Sequence, residues 1–161
     1  MNILIQKAVT NDYEIIKSIL NESDLIHLQA LPEIFNDPEG NSWDKEYVIS
    51  LINNLNSDIF LAKDEKKVVG VMVLIVKSSQ NLAILKPRQF VALDCISITK
   101  EYQNRGIGKM LLEKMEDWAY EKGIFQIELN VYEFNDNAIR LYKDLGFKTY
   151  SRRMIKILKH E

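Results

Sequence analysis

Apolar and polar residues alternate from Ile3 to Ala8, the period of a half-buried strand. Thr10 or Asn11 then offers a helix cap, and Ile15, Ile16, Ile19 and Leu20 follow at helical spacing. Leu25, Ile26, His27, Leu28, Leu31 and Phe35 predict a second, irregular helical region broken by Pro32 and Pro38. Ser42 is placed to cap the next helix, in which Trp43, Tyr47, Leu51 and Leu55 recur every four residues. Ile59 to Lys63 and Val68 to Lys77 predict a hairpin around the charged turn Asp64 to Lys67. Ser78 to Arg88 connects it to a long strand from Gln89 to Ile98. A helix follows with Ile107, Met110, Leu111, Met115, Trp118 and Ala119 on one face, and Gly123 lets it stop. Gln126 to Tyr132 alternates again, with Glu128, Asn130 and Tyr132 on one face. A short helix capped in the Asn135–Asn137 region ends at Gly146, and two last strands are expected near Phe147 to Tyr150 and Arg153 to Leu158.

The order is therefore β, helices, β, β, β, α, β, α, β, β. An antiparallel front leads into one parallel crossover, which makes a mixed α+β sheet of about seven strands with helices on both faces. The chain has 161 residues, most simply one domain over 1–161. Its net charge of −2 gives no general reason to expect nucleic acid as a partner. No stretch approaches the roughly 20 apolar residues that span a membrane, and Met1 to Thr10 lacks the layout of a secretion signal. The lone Cys95 cannot form an internal disulfide, which fits a cytoplasmic protein. The basic positions Arg152, Arg153, Lys156 and Lys159 alternate with apolar ones and read as the wet face of a strand. His27 and His160 stand at no metal-ligand spacing with Cys95, so no metal is expected.

The candidate chemistry starts where the long strand ends. Gln103-Asn104-Arg105-Gly106-Ile107-Gly108-Lys109 leads at once into a helix. The first N–H groups of a helix lack partners and its dipole is positive there, so such a terminus suits a phosphate. The glycines let backbone approach closely, while Arg105 and Lys109 add charge. A triphosphate-binding loop would need glycine where Gln103 stands and Ser or Thr where Met110 stands. A dinucleotide fingerprint would need a third glycine where Leu111 stands. Both fail, which argues against a nucleotide-binding protein.

What remains is Q-x-x-G-x-G at the end of a strand, and downstream Asn135 to Phe147 reads N-x-x-A-x-x-L-Y-x-x-x-G-F. Together the two blocks resemble the GNAT superfamily of N-acetyltransferases, closely over the C-terminal half and by order of elements over the rest. The resemblance implies a sheet with two splayed central strands that admit acetyl-CoA. It implies that the loop Gln103 to Lys109 holds the pyrophosphate, that the backbone of Ile96, Ser97 and Ile98 pairs with the pantetheine arm, and that Asn135 contacts that arm. The side chains of Ile96 and Ile98 can be core at the same time, and Asn135 can be a helix cap only.

By the same resemblance Tyr142 stands near the acetyl sulfur, where a phenol can protonate the departing thiolate. Its other reading is a packed aromatic on the face of Ala138, Ile139 and Leu145. Family members that carry a glutamate base place it where this chain has Asn130. Glu128, about 7 Å away along a strand, and Asp94 are the nearby acids. Either can be a base or an ion-pair residue, and a water chain can replace both. A nucleophilic Cys95 is disfavoured, because no His is placed to pair with it. His27 falls where the family shapes its acceptor pocket. The implied activity is direct acetyl transfer from acetyl-CoA to a primary amine, on a small molecule or on a protein N-terminus or lysine. The alternative is a non-catalytic acyl-CoA-binding module, and a homodimer stays open.

Overall fold

The computed structural model describes residues 1–37 and 42–158. The sequence expectations at Pro38, Lys159 and His160 lie outside the described residues. The chain divides into two compact units, Met1–Asn130 and Val131–Glu161. The first holds β1 (Ile3–Lys7), α1 (Tyr13–Ala30), α2 (Lys45–Asn53), β2 (Ser57–Asp64), β3 (Lys67–Ser78), β4 (Gln89–Ile98), α3 (Ile107–Glu121) and β5 (Ile127–Leu129). The second holds α4 (Asp136–Asp144).

The strands form one sheet in the order β1-β2-β3-β4-β5. Neighbours from β1 to β4 are antiparallel, and β4 and β5 are parallel. Alternation along β2 builds both sides of the core. Ile59 and Leu61 pack with Ile16, Ile19 and Leu20 of α1, Val48 and Leu51 of α2, and Val71 and Val73 of β3. Phe60 points the other way, toward α3, where the Lys114 ammonium lies 5.9 Å from its ring centre. On that side Trp118 of α3 is fully buried, and its indole N–H donates to Asp58 Oδ2 at 2.6 Å. The mixed class with helices on both faces is therefore present.

Several boundaries differ from the sequence expectations. The region from Leu25 continues α1 without a break, since nothing between Leu20 and Ala30 interrupts helical backbone. Leu31 leaves the helix at φ −138°, as residues before proline do. A single 3₁₀ turn, Thr10–Asp12, precedes α1, so Thr10 and Asn11 lie outside it. The cap of α2 is Asp44, whose Oδ1 accepts the Tyr47 N–H at 2.9 Å, and not Ser42. Leu55 falls beyond α2 and is 85% exposed.

The strand count is five among the described residues, not seven. Residues 147–150 and 153–158 form no strand, and Tyr150, Met154, Ile155, Ile157 and Leu158 are exposed. An alternating segment becomes a strand only by pairing, because its own backbone cannot satisfy itself. The alternation from Gln126 to Tyr132 likewise yields only the three residues of β5.

Cys95 of β4 packs against the α1–α2 side of the core. Burial, with Asp24 and Asp94 nearby, pushes its thiol up to about 12. A neutral thiol is a poor nucleophile, which argues further against the acyl-acceptor reading. The unfolded thiol ionises near pH 9 and the folded one does not. The stability carried by the neutral thiol is thus complete below pH 9 and is lost as pH rises toward 12. Between pH 8 and pH 10 the wild type should lose about 1 kcal/mol more stability than Cys95→Ala, measured by urea unfolding. Equal losses would show that the thiol titrates normally.

Candidate active site

The decisive feature lies between β3 and β4. Val73 pairs with Cys95, and the next residue, Leu74, pairs with Leu93. Asp94 has no opposite number, so β4 carries a one-residue bulge. The bulge changes which edge each backbone group faces. Upstream, the Val91 N–H donates to Gln126 O on the β5 side at 2.9 Å. Downstream, the Thr99 N–H donates to Val69 O on the β3 side at 2.9 Å. Both positions are odd, and an unbroken strand would aim them to one edge. The extra residue reverses the phase, so the N–H and C=O groups of Ile96 and Ile98 face away from β3.

On that far edge β5 has already left. Pairing between β4 and β5 covers Val91–Ile127, Ala92–Glu128 and Leu93–Leu129. β5 ends there, with Asn130 just beyond and exposed, while β4 runs on to Ile98. The described strands thus part immediately before the bulge. Ser97 is turned toward α1, its hydroxyl donating to Ile19 O at 3.2 Å.

The open edge leads into the loop. The Gln103 Nε2 donates to Ile98 O at 2.9 Å and ties the loop to the end of β4. Asn104 and Gly106 both have left-handed backbone, at φ 59° and φ 82°. At Gly106 that conformation requires glycine for an unstrained turn, and a Cβ there would meet nothing within 4 Å, so the space above it is open. Helix α3 begins at the next residue, Ile107, and among the described residues no side chain caps its first N–H groups. Ile107 and Gly108 are buried against the core. Arg105 stacks over the Tyr102 ring at 5.2 Å, and Lys109 lies 3.8 Å from Glu113 one turn on. Backbone donors, a positive helix end and two flanking cations fit a diphosphate.

The acids are engaged. The Glu128 carboxylate is paired with the Arg88 guanidinium and also accepts from Gln126 Nε2 at 3.0 Å. Asp94 lies 3.7 Å from Lys77 Nζ of β3. Its charge, after burial, also raises the Tyr47 phenol above its usual value. Asp24 of α1 accepts the Trp43 indole N–H at 3.0 Å, and the Trp43 and Tyr47 rings are 6.1 Å apart. Sequence reasoning missed Lys77, Tyr47 and Asp24. Tyr47 looked like one more apolar repeat, and Lys77 like the polar end of a hairpin. His27 is turned back on its own helix, its Nδ1–H donating to Ser23 O at 2.8 Å, with its ring against Phe35. A cavity of about 630 Å³ lined by Ser78, Arg88, Gly123 and Phe125 lies at the beginning of β4 and away from the loop.

In the second unit, Asn135 Oδ1 accepts the Ala138 N–H at 3.2 Å, so its side chain caps α4. Tyr142 is 8% exposed, and its ring meets Phe147 edge-on at 5.7 Å. The turn at Gly146 brings this about, with the Phe147 N–H donating to Tyr142 O at 2.9 Å. The ring is thus packed, which both of its readings allow.

Known proteins share the fold. The fold matches a mutant BH1408 protein from Bacillus halodurans at a TM-score of 0.91 over 97% of this chain and 99% of that one, at 22% identity. It also matches AAC(6')-Iy in complex with the bisubstrate analog CoA-S-monomethyl-acetylneamine, at a TM-score of 0.71, 16% identity, and 99% and 100% of the two chains. Among curated sequences, the thialysine N-epsilon-acetyltransferase of Sus scrofa is 38% identical over 56 residues. The ribosomal protein bS18 alanine N-acetyltransferase of Salmonella typhimurium is 40% identical over 52 residues. These stretches cover 35% and 32% of this chain, which spans only about a third of those relatives' length, 33% and 35%. The sequence model of the acetyltransferase (GNAT) family matches residues 28–147, which includes β4, the loop, α3 and α4. The chain belongs to the GNAT acetyltransferase family.

Proposed function

We propose that the protein transfers the acetyl group of acetyl-CoA to a primary amine by direct attack. The observation that carries the reading is the open edge of β4, which runs from the bulge at Asp94 straight into a glycine-turned, uncapped helix start. The backbone N–H groups at the start of α3, with Arg105 and Lys109, hold the pyrophosphate. The outward N–H and C=O of Ile96 and the outward N–H of Ile98 receive the pantetheine arm as an added strand would be received.

Tyr142 is the proposed acid that protonates the leaving thiolate, and its packed ring serves to hold the hydroxyl. Asn135 serves chiefly as the cap that fixes where α4 begins. The attacking amine must be neutral, and an aliphatic amine has a pKa near the ~10.4 of lysine. Glu128 and Asp94 both have cationic partners, and Asn130 is not an acid, so water carries that proton in this account. The acceptor is a small amine or a protein N-terminus or lysine. Relatives whose names state thialysine and ribosomal protein alanine as acceptors support an amine in general.

Acetyl-CoA at ~100 times its dissociation constant adds about 2.7 kcal/mol. For a chain of this size that raises the melting temperature by roughly 5–10 °C. Differential scanning fluorimetry with acetyl-CoA, ATP and NAD reads this directly. A null shift with acetyl-CoA at millimolar concentration contradicts the reading. A clear shift with no turnover on any amine favours the non-catalytic acyl-CoA-binding alternative instead.

Tyr142→Phe keeps the packing against Phe147 and removes the hydroxyl. Turnover should fall by about 10²-fold with acetyl-CoA affinity nearly unchanged. Undiminished turnover, with the chemical step rate-limiting, would reduce Tyr142 to a packing residue.

A further inference from the structure

We propose that Asp94 anchors a second positive charge on the acceptor, so that the preferred amines are diamines, polyamines or lysine-like groups. The inference rests on the acetyltransferase reading above and names its substrate class. If the pyrophosphate sits at the loop after Ile98, the arm runs back along β4 and its acyl end arrives at the bulge. Asp94 is the residue that the bulge displaces from the ladder, at the point where β4 and β5 part.

Its surroundings suit an ammonium group. Asp94 has a side chain 29% exposed, open to an incoming ligand yet shielded enough for its charge to be felt. Its counter-ion is Lys77 Nζ, at 3.7 Å on a side chain 48% exposed. That contact is long, and Lys77 stands next to the last residue of β3, from where its flexible stem can swing into water. A partly exposed pair of this kind holds weakly, so exchanging one ammonium for another costs little. Asp24 differs, because the Trp43 indole already holds it at 3.0 Å. The charge of Asp94 reaches Tyr47, whose ring lies 6.1 Å from that of Trp43. A carboxylate whose charge is felt at an exposed tyrosine offers an ammonium a counter-charge near an aromatic ring. Lys77 thus holds the place that the acceptor's second ammonium would take.

The test compares 1,4-diaminobutane with butylamine, which offer the same reacting group with and without the second charge. With acetyl-CoA saturating, the full chain should show a kcat/KM for the diamine roughly two- to fivefold above that for the monoamine. Asp94→Asn, nearly isosteric, should bring that ratio close to one. Lys77→Ala removes the competing ammonium and should raise it. A melting shift with acetyl-CoA in each variant verifies that it is folded. A wild-type ratio near one, or a ratio that survives Asp94→Asn, overturns the proposal. So does an equal loss on both amines in Asp94→Asn, which would mark proton transfer instead of charge recognition. Should the wild type acetylate neither amine, the catalytic reading fails for these acceptors. Calorimetric titration of both amines into the coenzyme A-loaded protein then decides the charge preference separately. Tighter diamine binding that Asp94→Asn abolishes supports the site, and equal binding of the two amines overturns it.

Discussion

One extra residue in β4 sets the character of this fold. A strand alternates its backbone groups between two edges, and a sheet interior uses both. In β4 the antiparallel partner β3 runs the whole length, while the parallel partner β5 stops at Leu129. Without the bulge at Asp94, Ile96 and Ile98 would aim their groups at β3. With it, they aim at the edge that β5 has vacated, and the ladder to β3 continues through residues 95 and 97. The end of β5 leaves that edge open, and the bulge decides that Ile96 and Ile98, rather than Cys95 and Ser97, face it.

The rest of the candidate site follows from that phase change. Gln103 binds the carbonyl of Ile98 and closes the strand. Left-handed backbone at Asn104 and Gly106 turns the chain sharply into α3. The buried face of α3, from Ile107 through Leu111 and Met115 to Trp118, fixes its start against the sheet, and Asp58 holds the far end through the Trp118 indole. A helix terminus anchored along its length presents its free N–H groups at a defined place, which is what anion binding by backbone requires.

Much of this was legible in the sequence, and the failures have physical reasons. Gln89 to Ile98 is a strand with the bounds that its apolar run predicts, and Val91 to Leu93 are buried on both faces. The loop was readable because glycine at Gly106 has a steric cause, the left-handed turn. The bulge was not readable, since nothing in Leu93-Asp94-Cys95 separates an extra residue from an ordinary alternation. Asp94, Tyr47, Asp24 and Lys77 come together across four elements, and such contacts leave no periodic trace. Alternation misled at the C-terminal end, where residues 153–158 carry a strand's pattern without a described partner. The helix start at Asp44 went to the residue whose backbone leaves it free to accept the Tyr47 N–H, two positions beyond the expected serine.

The central claim is that the bulge turns Ile96 and Ile98 toward an acyl carrier, and amide hydrogen exchange resolved residue by residue tests it most directly. With acetyl-CoA bound, the account predicts slowed exchange at whichever of Ile96 and Ile98 pairs its N–H with the arm, and at the first amides of α3. Cys95 and Ser97, already facing β3, should change little. Protection confined to Cys95 and Ser97, or saturating acetyl-CoA that leaves both Ile96 and Ile98 exchanging as before, would contradict it.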